Sequence, residues 1–64
     1  MKQNYAVGDK VKFTEKRGGY INIKDTGVIT DIITKNLVMC EVTYTYGVKD
    51  YLLFYLDEIA GKID

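Results

Sequence analysis

The stretch Leu37-Val38-Met39-Cys40-Glu41-Val42-Thr43-Tyr44-Thr45-Tyr46 decides the fold class. Its even positions, Val38, Cys40, Val42, Tyr44 and Tyr46, are all apolar or aromatic, while its odd positions end in Glu41, Thr43 and Thr45. Side chains of an extended strand alternate between two faces, so this pattern gives one apolar face and one mixed face. A helix would scatter the same residues around its circumference. The β-branched and aromatic content also suits a pleated, half-buried surface. The stretch is therefore predicted as a strand.

On its N-terminal side, Lys35-Asn36 is predicted to turn the chain. Before that turn runs Val28-Ile29-Thr30-Asp31-Ile32-Ile33, rich in β-branched residues but apolar on both parities. A bulge or bend would reconcile this with a strand, and so would burial on both sides. Asp25-Thr26-Gly27 is expected to turn. Tyr20-Ile21-Asn22-Ile23-Lys24 alternates with Ile21 and Ile23 on one face. Val11 and Phe13 alternate with Lys10, Lys12 and Thr14 in the first run. Between these runs, Lys16-Arg17-Gly18-Gly19 suits a tight turn, because glycine reaches positive φ freely. Residues 13–24 would form a long hairpin or an irregular loop.

On its C-terminal side the pattern is mixed. Tyr51-Leu52-Leu53-Phe54-Tyr55-Leu56 shows no clean alternation, and Leu52, Tyr55, Leu56 and Ile59 fall at helical spacing. Asp50 could cap such a helix and Gly61 could end it. The aromatic content and the short turn at Gly47-Val48 favour a hairpin partner for residues 37–46 instead. The expectation is a strand from about Lys49 to Phe54, one helical turn around Leu56-Asp57-Glu58, and a short final strand. Tyr51–Leu56 is uncharged and β-prone, so it would aggregate if exposed. It is expected to lie inside the fold or in a dimer interface, which makes a weak homodimer worth testing.

The chain has 64 residues, enough for one small domain, expected over residues 5–63 behind a short tail at 1–4. There is no low-complexity tract, linker or repeat. Nine Lys and Arg balance nine Asp and Glu, which argues against a bulk polycation that coats nucleic acid or an anionic membrane. No His, Trp or Pro is present and only one Cys. Zinc sites, His-based acid–base chemistry and internal disulfides are therefore not expected. No apolar stretch follows the N-terminus and the longest apolar run is far shorter than a membrane span, so neither a signal peptide nor a membrane segment is expected. A single Cys fits a reducing compartment, and the protein is expected to be cytoplasmic.

Five short strands, a long first loop and one helical turn before the last strand describe an all-β, five-stranded SH3-like barrel. The residues that carry the likeness are Val7-Gly8-Asp9-Lys10-Val11-Lys12-Phe13, Gly27-Val28-Ile29-Thr30-Asp31-Ile32, Cys40-Glu41-Val42-Thr43-Tyr44 and Leu56-Asp57-Glu58-Ile59. With these the chain resembles the SH3-like barrel superfamily, and within it the bacterial KOW- and Tudor-like small domains. In such domains Gly8-Asp9 would open the first strand and Gly27 would begin the second. The resemblance implies a binding module without cofactor. Peptide-binding SH3 grooves pack a Trp on proline rings, and this chain has none.

Few residues here could carry catalysis. Cys40 has no His to activate it and shares the apolar face of Val38 and Val42, so it reads as a packing residue. Asp57-Glu58 reads as a pair of solvated charges on the helical turn rather than an acid–base or metal site. No phosphate loop, nucleophile elbow or metal-ligand spacing occurs. An enzyme is not expected, and no catalytic, metal or cofactor residue is assigned.

The charges are distributed unevenly. In residues 1–24, Lys2, Lys10, Lys12, Lys16, Arg17 and Lys24 stand against Asp9 and Glu15, leaving +4; residues 25–64 hold three Lys against seven acids, leaving −4. Lys10, Lys12, Lys16, Arg17 and Lys24, with Tyr20 beside them, form the candidate surface for nucleic acid or a nucleic-acid-bound complex: cations for phosphates and an aromatic for base stacking. The same residues also describe an ordinary solvated strand face. The six tyrosines are too many to bury with every hydroxyl satisfied in so small a core. Tyr44 is expected to pack inward with its hydroxyl at the edge. Tyr46 and Tyr51, flanking Gly47, are expected to be exposed and to form the alternative site, for a protein partner. Amphipathic cover over a thin core is the plain alternative.

Overall fold

The structure, a computed structural model, describes residues 4–15 and 22–63. Five strands form one antiparallel sheet: β1 (Lys10–Phe13), β2 (Ile23–Thr34), β3 (Leu37–Tyr44), β4 (Lys49–Tyr55) and β5 (Ile59–Lys62). A 3-10 turn, Leu56–Glu58, separates β4 from β5. The order across the sheet is β4-β3-β2-β1-β5. The all-β class, the five strands and the single helical turn before the last strand are as expected from the sequence. Among the described residues no ladder joins β4 to β5.

The deciding stretch behaves as its alternation requires. Val38, Cys40 and Val42 of β3 are buried, and their odd neighbours are half-buried. The strand ends at Tyr44, where a three-residue loop reverses the chain. Tyr44 N–H donates to Val48 O at 2.7 Å, Gly47 N–H donates to Tyr44 O at 2.8 Å, and Gly47 has φ +94°. This is the three-residue hairpin that closes on a left-handed glycine.

β2 is one continuous strand of 12 residues, which corrects the reading of Asp25-Thr26-Gly27 as a turn. Thr26, Gly27 and Val28 instead pair with Lys12, Val11 and Lys10 of β1. Gly27 stands there for close approach. A Cβ on it would sit 2.6 Å from the Glu41 carbonyl oxygen and 2.7 Å from the Phe13 ring. The imperfect alternation of Val28–Ile33 is resolved by irregular register, with shifts at Ile29/Asp31 and Ile32/Thr34. Ile32 and Ile33 stay exposed, so burial on both sides is not the explanation. Lys35-Asn36 turns the chain as expected. The predicted Lys16-Arg17-Gly18-Gly19 turn and residues Tyr20 and Ile21 lie outside the described residues.

The core is formed by Val11, Phe13, Ile23, Ile29, Val38, Cys40, Val42, Phe54 and Ile59. Phe13 of β1 and Phe54 of β4 stack with ring centroids 4.3 Å apart and planes within 3°. These strands are separated by two others in the sheet, so the sheet must curl until their inner faces meet.

Gly27→Ala should therefore destabilise the fold by about 1–3 kcal/mol, because the Glu41 backbone must shift to admit the methyl group. Urea denaturation of the two proteins checks this; an unchanged midpoint would show that the approach at Gly27 is not constrained.

Candidate nucleic-acid interface and tyrosine surface

The turn before β1 fixes where the lysines point. Ala6 N–H donates to Asp9 Oδ2 at 2.8 Å, and Gly8, with φ +95°, sends its N–H to Ile29 O at 2.7 Å. Ile29 N–H returns to Asp9 O at 2.9 Å. With the chain clamped to β2 on both sides of Asp9, β1 buries Val11 and Phe13 and turns Lys10 and Lys12 outward. Lys10 lies across from Val28 and Lys12 across from Thr26. Lys24, near the start of β2, is exposed as well, within a stretch whose register with β3 shifts between Ile23 and Gly27. The structure thus puts Lys10 and Lys12 on one sheet face and leaves Lys24 exposed on the neighbouring strand. None makes an ion pair with a described residue. Lys16, Arg17 and Tyr20 lie outside the described residues.

Two other lysines are engaged. Lys62 is 3.2 Å from Asp9, and the Asp9 carboxyl is held below its usual range, first by the Ala6 N–H and then by Lys62. Lys49 lies 3.7 Å from Glu41, which also accepts a longer bond of 3.4 Å from the Tyr51 hydroxyl.

The tyrosines divide between two faces. Tyr44 is half-buried, donates its hydroxyl to Asp50 Oδ2 at 2.8 Å, and stacks on Tyr46 at 5.2 Å between centroids. Tyr46 is 68% exposed at the hairpin tip. Tyr51 belongs to the opposite parity, on the outer face of the sheet. The structure therefore does not bring Tyr46 and Tyr51 into one cluster.

Tyr51 instead has neighbours that sequence reasoning missed. In β4, Leu52 and Leu56 beyond it pack against the core and Phe54 is buried, while Tyr51, Leu53 and Tyr55 are 57%, 43% and 61% exposed. The run is buried on one side only, so of the two places expected for it, the inside of the fold takes Leu52, Phe54 and Leu56 and not Tyr51, Leu53 and Tyr55. Across the ladder, Tyr55 faces Leu37, Leu53 faces Met39 and Tyr51 faces Glu41, giving an apolar outer stripe over β3 and β4. The signal was the two-residue spacing of 51, 53 and 55, hidden because both parities are apolar.

Glu58 corrects the reading of Asp57-Glu58 as two solvated charges. Asp57 is exposed, but Glu58 is buried and its Oε1 accepts the Tyr55 N–H at 2.8 Å, capping the turn. Cys40 is fully buried, and burial pushes its thiol from an ordinary 9.0 to about 11. A cavity of about 220 Å³ lined by Asn4, Tyr5, Ile32, Thr34, Lys35, Val38 and Leu56 carries one charged group, Lys35. Among the described residues no cluster of three metal-ligating side chains occurs, and no helix is long and apolar enough to cross a membrane. No family model matches the chain, and no curated protein or solved structure matches it.

Cys40 should react with a thiol reagent at neutral pH only as fast as the chain opens. Because the folded chain holds the thiol proton more tightly than the unfolded one, the associated stability is present below pH 9.0 and is lost as pH rises toward 11. Denaturation of wild type and Cys40→Ala across that range checks the sign: the difference in stability between them should narrow as pH rises.

Proposed function

We propose that this chain is a non-enzymatic binding module of SH3-like barrel architecture, similar to KOW- and Tudor-like domains, and that its β1 face contacts nucleic acid or a nucleic-acid-bound complex. The observation that carries the reading is the outward pair Lys10 and Lys12 on β1 with Lys24 exposed on the neighbouring β2, without an acid paired to any of them among the described residues. Phosphates bind such a row by charge, with affinity that falls as salt rises. The non-enzymatic part rests on a chain without His whose one thiol is buried and protonated. The same unpaired Cys supports a cytoplasmic setting.

Titration with a single- or double-stranded oligonucleotide at low salt should shift the amides of Lys10–Lys12 and Lys24. Lys10→Glu with Lys12→Glu should weaken binding at least about tenfold, and the logarithm of affinity should fall with that of salt with a slope of roughly −2 to −4. If no amide in these segments moves, the reading is wrong.

The exposed stripe of Tyr51, Leu53 and Tyr55 favours a second reading, a protein-interaction or regulatory module. Tyrosine is enriched in interfaces because a large apolar ring carries a polar tip. A partner held this way should be lost with Tyr51→Ala and persist at high salt, and Tyr46→Ala should matter only if the partner also reaches the hairpin tip. A partner lost instead with Lys10→Glu belongs to the first reading.

A further inference from the structure

β4 is the first strand in the sheet order, so one of its edges has no strand beside it among the described residues. The ladder shows which backbone groups face that edge. Tyr44 N–H donates to Val48 O, and Leu56 N–H donates to Asn36 O at 2.9 Å. These pairs extend the β3–β4 register by one step at either end, so they share parity with its even-numbered pairs. In an antiparallel ladder bonded and non-bonded pairs alternate. The backbone groups of Asp50, Leu52 and Phe54 therefore point to β3, and those of Lys49, Tyr51, Leu53 and Tyr55 point outward.

Two of those outward donors are taken. Tyr51 N–H donates to Asp50 Oδ1 at 2.8 Å, and Tyr55 N–H donates to Glu58 Oε1 at 2.8 Å. An added strand would have to place carbonyl oxygens where these carboxylate oxygens already sit. Its dipoles would also meet two negative charges. The stretch between them, Tyr51–Tyr55, is uncharged, and the chain has no proline to interrupt pairing. Apart from the two carboxylates, the strand's other charged side chain is Lys49 at its start, which lies 3.7 Å from Glu41, so nothing else guards Tyr51–Tyr55 by the usual means.

We propose that Asp50 and Glu58 seal the free edge of β4 against addition of a strand from a second copy of this chain. Both carboxylates are anchored from inside the fold. Asp50 is held by the Tyr44 hydroxyl through its other oxygen, and Glu58 by the tight turn that leads into β5. The seal is thus in place only when the β3–β4 hairpin and the turn are formed.

Amide hydrogen exchange on the wild-type protein tests the geometry. Tyr51 and Tyr55 should exchange at least about tenfold more slowly than Leu53, although all three N–H groups face the same edge; equal rates would overturn the proposal. Sedimentation tests the consequence. Asp50→Ala and Glu58→Ala, each checked for folding by circular dichroism, should self-associate at least about tenfold more strongly than wild type. Tyr44→Phe removes the anchor of Asp50 but keeps the carboxylate beside the Tyr51 N–H, and should associate more weakly than Asp50→Ala; association as strong as that of Asp50→Ala would overturn the proposal. Adding Leu53→Pro to Asp50→Ala removes an outward donor without touching the β3 ladder and should restore the wild-type state. A folded Asp50→Ala that associates no more than wild type, or association that survives Leu53→Pro, would overturn the proposal.

Discussion

The stack of Phe13 on Phe54 constrains everything else in this molecule. The two rings belong to strands that are not neighbours in the sheet, yet they lie 4.3 Å apart and parallel. The buried apolar side chains of a 64-residue chain must converge on one small interior, because little surface can be buried at this size. Bringing the rings together requires β2 to bend, and its register shifts supply the bend. It also requires the backbone beneath Phe13 to carry no side chain, which is the role of Gly27. Once the inner faces meet, the opposite parity of every strand is committed to the outside. Lys10, Lys12 and Lys24 are therefore presented outward by the same packing that leaves Tyr51, Leu53 and Tyr55 there.

How much of this was legible depended on contrast between parities. Leu37–Tyr44 could be read because one face is wholly apolar and the other ends in Glu41 and Thr43. Tyr51–Leu56 could be placed as a strand but not divided into faces, since hydropathy does not separate Tyr51, Leu53 and Tyr55 from Leu52, Phe54 and Leu56. What separates them is the ladder to β3, a long-range fact. Asp25-Thr26-Gly27 was misread for a related reason. A glycine has two uses, positive φ and close approach, and only the neighbouring ring shows which one applies. Glu58 was misplaced because an acid in a turn is usually solvated, and only the backbone donor at Tyr55 gives it a reason to be buried.

The zero net charge also changes meaning in three dimensions. Three acids of the second half are not bare negative charges that balance the lysines of the first. Asp50 and Glu58 bond to backbone and hydroxyl groups, and Glu41 faces Lys49. Asp9, from the first half, is bound to Ala6 and Lys62. Several anions are thus spent on structure, while Lys10, Lys12 and Lys24 have no such engagement among the described residues. A chain with no net charge can in this way carry a local cationic face.

The two sides of β4 then meet different demands with different groups. Its outer face offers side chains, whose shape and chemistry can discriminate among partners. Its edge offers backbone, which pairs with any extended strand and discriminates poorly. A small protein with apolar residues on both parities of an edge strand cannot hide the face without a second layer, and this sheet has none among the described residues. It can neutralise the edge, and two carboxylates suffice because alternate donors are already bound to β3. Leaving Tyr51, Leu53 and Tyr55 exposed is tolerable under that condition: contact through the face remains selective as long as contact through the backbone is closed.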